Sequence, residues 1–149
     1  MTRVKIELSE EFIFKTEIPI RINDINYGGH LGNDTVLSIA HEARLRFLKQ
    51  HNFTELNVAD AGTIMVDAAV QYKAEGFYGD IILVEIAVTD ITGVGCDFVY
   101  RCTNKNTGTV IAIVKTGIVF YDYNRKKIVS FPEKFGLFLM INNILCKVK

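Results

Sequence analysis

The sequence is poor in the residues that build disulfide frameworks and metal sites. It has no tryptophan, two prolines, three cysteines and three histidines among 149 residues. The cysteines are Cys96, Cys102 and Cys146. They cannot all pair and none lies in a CxxC motif, so we expect free thiols in a reducing compartment. The histidines are His30, His41 and His51. Their spacing fits no zinc motif, and we expect no metal site.

The sequence also lacks a charge imbalance and a long apolar run. Lys+Arg and Asp+Glu number 17 each, so neither a nucleic acid nor an anionic membrane is an expected partner. No run approaches the roughly 18 apolar residues of a membrane span. The N-terminal stretch MTRVKIELSEEF has no apolar core of signal-peptide length. We therefore expect a cytoplasmic protein.

Periodicity divides the first third of the chain into a strand and a helix. Apolar residues alternate with polar ones from Phe12 to Ile22, which predicts a half-buried strand. The next segment follows the helical period, with a common apolar face formed by Val36, Ile39, Ala40, Ala43 and Phe47. We expect this helix to end near His51, with Asp34 as its N-cap or as an acid in its first turn.

The rest of the chain alternates as strands. They are predicted over residues 63–72, 82–89, 97–103 and 110–121. Turns with Gly or Asn separate them, in EGFYGD, TGVG and NKNTG. No helix is predicted between these strands, so the sheet should be antiparallel. Residues 1–149 thus form one α+β domain, in which an antiparallel sheet of about five strands wraps a long central helix.

The stretch RINDINYGGHLGND, between the first strand and the helix, has more polar and flexible residues than a connection needs. A helix start offers unpaired N–H groups and a partial positive charge, which suit a polarised carbonyl and its oxyanion. Gly28, Gly29 and Gly32 would let a ligand approach the backbone closely.

Three motifs in this order resemble acyl-CoA thioesterases of the hydroxybenzoyl-CoA type, which have the hotdog fold. The first is RINDINYGGHLGND followed by HEARLRFL, similar to the family's Arg, D-x-D, Gly-His, Asn and Glu-Ala-Arg. The others are YKAEGFYGDIILVEIAV and AIVKTGIVFYDYNRKKIVSFPEKF. The resemblance covers residues 12–135.

The resemblance implies hydrolysis of an acyl-CoA thioester by a homodimer or tetramer, without a cofactor. It places the active sites between subunits, at the N-terminus of the central helix. The substrate-binding residues that it implies are Tyr27, Gly28, Gly29, Leu31, Gly32 and Asn33. The chain departs from the family at the second Asp of D-x-D, the usual catalytic carboxylate, because Asn26 occupies that position. An amide can orient water but cannot act as a base. Asp24 matches the first Asp, which we expect to be structural.

Another carboxylate must then activate the water. Asp34 is the first candidate because it lies at the helix start, and Glu42 and Asp67 are the alternatives. Each also has a plain structural interpretation: a cap for Asp34, a solvated polar group for Glu42 and a solvent-exposed strand residue for Asp67. His30, in the Gly-rich loop, is an acid, a ligand contact or merely a loop residue.

The helix contains two further ionisable residues in need of interpretation. Arg44 falls in the apolar sector of the helix and should be a structural residue that is paired with a carboxylate. A triad of Ser38, His41 and Asp34 is rejected, because consecutive helical turns cannot give triad geometry. For His41 alone, a polar group satisfied within the helix environment is the favoured interpretation.

The sequence leaves two alternatives to hydrolysis open, and it predicts a homo-oligomer. Without its catalytic Asp, the chain could be an acyl-CoA or acyl-carrier binding module. A hotdog dehydratase is less favoured, because the sequence has no His-Phe-Pro segment. We expect at least a homodimer, because the sheet face opposite the helix should expose a second set of apolar residues. These are Met65, Ala69, Ile111, Ile113, Val119 and Tyr121.

Overall fold

The computed structural model describes the backbone of residues 1–148 and the side chains of residues 1–143. Strand β1 (Phe14–Pro19) leads through a short 3-10 turn (Ile22–Asp24) to helix α1 (Asn33–Gln50). The following elements are β2 (Gly62–Tyr72), β3 (Ile81–Thr89), β4 (Gly95–Asn104), β5 (Val110–Asp122), β6 (Lys127–Ile128) and α2 (Glu133–Val148).

All strand pairs are antiparallel, as predicted. The order across the sheet is β1-β3-β4-β5-β2, and the short β6 pairs with β5. The sheet therefore has six strands rather than about five, the sixth being two residues long. Strands β1 and β2 form its two outer edges.

Helix α1 lies against one face of this sheet with the predicted residues buried. Val36, Ile39, Ala40, Ala43 and Phe47 are each at most 5% exposed. They form one core with residues of the same face of β3, β4 and β5. The predicted helix, its apolar face and its end near His51 are confirmed.

The first strand is shorter than the alternation from Phe12 to Ile22 predicts. It ends at Pro19, and the chain turns at Arg21. The carboxylate of Asp24 causes this turn, because it accepts the backbone N–H of Arg21 at 2.7 Å. A local side-chain bond thus overrides the alternating pattern.

The C-terminal segment, for which the sequence patterns predict no element, forms helix α2. Phe135 and Leu139 are buried, and the ring of Phe138 lies 6.1 Å from that of Phe47 in α1. A second helix therefore packs against the core in addition to the predicted central helix.

Part of the predicted outer apolar face is buried within the chain. Ile111 is 3% exposed and Ile113 is 7% exposed. Met65 is 43% exposed but faces α1 rather than the outer side, because a register shift in β2 between Met65 and Asp67 reverses the alternation there. A register shift between β4 and β5 interrupts the alternation, and both Ile111 and Ala112 join the core. The expectation that Ile111 and Ile113 lie open for a partner is wrong.

The N-terminal segment crosses this outer face. The N–H of Ile6 donates to the side-chain oxygen of Gln71 at 2.9 Å, and the ring of Phe12 lies 4.5 Å from the guanidinium carbon of Arg101. Gln71 and Arg101 are the cross-strand neighbours of Ile113 on its two sides. The segment therefore passes over Ile113.

Two of the three cysteines lie in the core as free thiols. Burial raises the pKa of both Cys96 and Cys102 to about 12, and the charge of Asp97 adds to the shift at Cys96. The side chain of Cys146 lies outside the described residues. Over residues 1–148, no helix is long and apolar enough to cross a membrane.

We expect the chain to form a dimer through the edge of β2. This edge has no strand neighbour among the described residues, and Met65 and Val66 on β2 are 43% and 59% exposed. An open edge with apolar side chains favours pairing with a second copy. Light scattering at micromolar concentration should give twice the 16.8 kDa of one chain.

Val66→Lys should shift this dimer towards monomer, because a charge on the edge opposes strand pairing. Leu56→Lys, at a position that is 71% exposed but outside the sheet, should leave the mass unchanged. A parent protein of one-chain mass would contradict the prediction.

Candidate active site

The loop before α1 is held in one conformation by its own backbone. The N–H of Asn26 donates to the carbonyl of His30 at 2.9 Å, and the N–H of Gly29 donates to the carbonyl of Asn26 at 3.1 Å. Gly29 has φ of +84°, a left-handed conformation that favours glycine. Farther on, Leu31 is buried and its N–H donates to the carbonyl of Gly76. The loop is therefore a platform that backbone hydrogen bonds close on itself and tie to Gly76.

The side chain of Asn26 shapes this platform. Its Oδ1 accepts the N–H of Gly28 at 2.9 Å. A methyl group added at Gly28 would lie 3.1 Å from that oxygen and 3.2 Å from Nε2 of His30, so the three residues are closely packed. His30 also lies 3.8 Å from the carboxylate of Glu75, a residue that the sequence did not single out.

Asp34 lies in the first turn of α1 and is not its cap. The N-cap is Gly32, which provides no side-chain bond, and Asn33 Oδ1 accepts the N–H of Asp34 at 3.0 Å. The cap interpretation of Asp34 is therefore wrong, and the alternative of a first-turn acid is confirmed. A methyl group at Gly32 would lie 2.8 Å from Oδ1 of Asp34, so this carboxylate folds back over the helix start.

The helix start is open to solvent and linked to the sheet. Asn33 and Asp34 are exposed, and Tyr27 in the preceding loop is fully exposed. The hydroxyl of Tyr72, at the end of β2, donates to the carbonyl of Asn33 at 2.8 Å. By contrast, Asp24 is 6% exposed and is bonded within its own turn, as expected of a structural residue.

Glu42 and Asp67 lie apart from this start and from each other. Glu42 accepts a hydrogen bond from Arg46 at 2.9 Å, on the side of α1 that faces β1. Asp67 accepts bonds from Lys115 Nζ at 2.7 Å and from the N–H of Gly117, on the sheet face opposite α1. The hydrogen bond from Lys115 is the largest of the effects that lower the pKa of Asp67. In one chain, neither carboxylate reaches the helix start.

Between α1 and the start of β2 lies an open groove of about 400 Å³. Its lining residues are Leu37, Ser38, His41, Arg44, Glu55, Thr63, Met65, Thr116 and Ile118. We call this the α1–β2 groove. Its size falls within the range of small-molecule sites.

A network of polar side chains forms the floor of the α1–β2 groove. Arg44 donates to one oxygen of Glu55 through two nitrogens, at 2.8 and 3.0 Å. A third nitrogen donates to the hydroxyl of buried Tyr100, which also bonds to Thr116. The other oxygen of Glu55 lies 3.2 Å from Nε2 of His41. The predicted partner carboxylate of Arg44 is therefore Glu55.

These contacts fix the charges of the pair. Burial acts to raise the pKa of Glu55, but the hydrogen bonds and charges of Arg44 and His41 outweigh it and the pKa is lowered. For Arg44, burial acts to lower the pKa, and the contacts with Tyr100 and Glu55 raise it on balance. Glu55 is thus a carboxylate and Arg44 a guanidinium at neutral pH.

The sequence did not single out Glu55, although it belongs to this site. It lies in the irregular segment between α1 and β2, where no periodicity indicates direction. Its backbone carbonyl accepts both the N–H and the hydroxyl of Thr63. The one available signal is Arg44 on an apolar helix face, which requires a carboxylate without indicating which.

Among residues 1–148, no group of three His, Cys, Asp or Glu side chains is placed to hold a metal ion.

Residues 20–139 match the family model of the thioesterase-like superfamily. No curated protein sequence matches the chain. Among solved structures, a 1,4-dihydroxy-2-naphthoyl-CoA thioesterase from Synechocystis is 19% identical, with a TM-score of 0.77 over 85% of this chain and 95% of that one.

Two other solved structures are similarly close. A DHNA-CoA thioesterase from Staphylococcus aureus is 18% identical, with a TM-score of 0.75 over 91% of this chain and 94% of that one. A thioesterase superfamily protein from Jannaschia sp. CCS1 is 15% identical, with a TM-score of 0.79 over 91% and 86%. These matches confirm the predicted hotdog fold.

Proposed function

The chain belongs to the thioesterase-like superfamily, and from this membership we propose that it hydrolyses an acyl-CoA thioester to a free acid and CoA. The start of α1 is the feature of this chain that supports the proposal. It places the exposed residues Asn33 and Asp34 beside a glycine-containing loop that backbone hydrogen bonds close. Helix-start N–H groups stabilise the negative oxygen that forms when water attacks a thioester carbonyl.

We propose Asp34 as the base that takes a proton from this water. Its carboxylate folds over Gly32 at the helix start, whereas Glu42 is paired with Arg46 and Asp67 with Lys115. Asn26 and His30 flank the same loop and are proposed to orient the water and contact the substrate. The exposed Tyr27 and Asn33 and the backbone of Gly28 and Gly29 are the remaining proposed contacts.

Release of free thiol from a panel of acyl-CoA compounds tests the function. The panel should include aromatic acyl groups, because the similar structure from Synechocystis is a 1,4-dihydroxy-2-naphthoyl-CoA thioesterase and that from Staphylococcus aureus is a DHNA-CoA thioesterase. We expect thiol release from at least one compound. Saturable binding of acyl-CoA without turnover would instead support the binding-module alternative.

Asn26→Asp separates these two possibilities. Because the amide oxygen of Asn26 is the atom that accepts the N–H of Gly28, an Asp there keeps the turn. If Asp34 is the base, the turnover of Asn26→Asp should stay flat or fall, because the site then already has its base and Asn26 only orients the water. A rise of several orders of magnitude over an inactive parent would indicate a binding module that has lost its base. Thiol release from one acyl-CoA by both proteins gives the comparison.

A further inference from the structure

The imidazole of His41 is held by a charged partner and borders the α1–β2 groove. Glu55 can only accept hydrogen bonds, so Nε2 of His41, at 3.2 Å, must carry the proton of this contact. The carboxylate is itself fixed by two bonds from Arg44. Nδ1 is then the ring nitrogen available to a ligand. Such a pair of carboxylate and imidazole is a common device for proton transfer.

His41 and Glu55 are too far from the start of α1 in their own chain to act on a thioester bound there. His41 follows Asn33 by eight residues, which is about 12 Å along a helix. A thioester bound at Asn33 would therefore lie beyond reach of His41 in its own chain.

Strand β2 runs from the groove to the helix start. Thr63 and Met65 near its beginning line the α1–β2 groove, and Tyr72 at its end bonds to Asn33. In an antiparallel pair, the end of one strand lies beside the beginning of the other. A second copy paired along the free edge of β2 would bring its own helix start alongside the groove of the first.

We propose that His41, oriented by Glu55, is a general acid that acts on a thioester bound at the helix start of the second copy. The proposal rests on the proposed function. Water attacks the carbonyl carbon and gives a proton to Asp34 of the copy that binds the thioester. The tetrahedral intermediate then collapses, the carbon–sulfur bond breaks, and the protonated imidazole of His41 gives its Nδ1 proton to the sulfur. Asp34 returns its proton to solvent and His41 takes one up, so the net products are acid and thiol.

The chemistry of the leaving group favours an imidazole for this step. A carboxylic acid is ionised near neutral pH and has no proton to give, whereas imidazole titrates in that range. Alkyl thiols bind protons more tightly than imidazole, so the transfer to sulfur is downhill. Glu55 offsets the positive charge of the ring before the transfer.

Two thioesters with different leaving groups test the acid role of His41. The acyl group hydrolysed fastest in the panel is attached to N-acetylcysteamine, an alkyl thiol, or to thiophenol, which leaves readily without a proton. His41→Gln should lower kcat for the alkyl thioester by about 10²-fold and for the phenyl thioester by less than about threefold. Equal losses on both thioesters would overturn the acid role.

Matched controls separate folding from chemistry. Gln can still donate to Glu55, so His41→Gln should melt as the parent does. Lys49→Gln, at an exposed position of the same helix, should leave both rates unchanged. Absence of turnover by the parent on every thioester would overturn the proposed function, whereas parental turnover with equal losses would overturn only the role of His41.

A mixed dimer tests which copy supplies His41. Copies with His41→Gln and with Asp34→Asn are co-expressed with two different tags and purified on both. If each site combines the two copies, one of the two sites in the mixed dimer is intact, and about half of the parental activity returns. Activity as low as that of the two single variants would overturn the shared site.

Discussion

Asp34→Asn is expected to lower thioesterase turnover by about 10²–10⁴-fold while the fold persists, because an amide cannot accept the proton of the attacking water. The stability cost should be less than about 1 kcal/mol, since what is lost is the interaction of one charge with the helix dipole. Asn33, not Asp34, accepts the N–H at this turn, so no capping bond disappears. Initial rates of thiol release and thermal melting of the same preparation measure the two effects.

The control for this variant is Asp60→Asn, which removes a carboxylate from an exposed loop position. Its rate should equal that of the parent. An Asp34→Asn protein with near-parental turnover would exclude Asp34 as the base. Glu42→Gln and Asp67→Asn would then be assayed on the same substrate.

Arg44→Met is expected to destabilise the fold by about 3 kcal/mol, because it leaves the carboxylate of Glu55 without its main partner. The side chain of Arg44 is 6% exposed and that of Glu55 is 31% exposed. Because the pair is only partly buried, the loss in free energy of unfolding should lie at the lower end of the range for broken buried ion pairs. The hydroxyl of Tyr100 also loses a donor. Chemical denaturation followed by circular dichroism gives the free energy of unfolding.

Two companion variants show whether the ion pair is the cause. Arg46→Met, on the same helix but 40% exposed, should cost less than about 1 kcal/mol. Adding Glu55→Gln to Arg44→Met should restore part of the stability, since no unpaired charge then remains. If the double variant is as unstable as the single one, the loss comes from packing of the Arg44 side chain.

The parts of the candidate active site that could be predicted from the sequence are those whose positions follow from the helical period of α1. The spacing of Val36, Ile39 and Ala43 specifies the buried face of α1, and with it the exposure of Asp34 and the burial of Arg44. Glu55 could not be predicted, because its contact with Arg44 depends on how an irregular segment folds back onto the helix. Ile111 was misplaced for a related reason: strict alternation contains no information about a register shift with the neighbouring strand.

The hydrogen-bond partners of Asp67 likewise could not be predicted from the pattern of its own strand. Alternation assigns it correctly to a face, and the structure adds that Lys115 and Gly117 occupy its oxygen atoms. Those partners lie on a strand 48 and 50 positions away in sequence. Only the pairing of β2 with β5 brings them together, and one strand's pattern does not specify its neighbour.

The burial of Cys96 and Cys102 has a practical consequence for detecting product. Disulfide reagents that report free thiols react with thiolates, and thiols with a pKa of about 12 are almost wholly protonated at neutral pH. In the folded protein, these two residues should consume almost no reagent, so the colour measured would come from released CoA. A Cys146→Ser protein removes the third thiol. The same reagent added after denaturation should then titrate two thiols per chain, which provides an internal measure of protein concentration and of how much of the sample was folded.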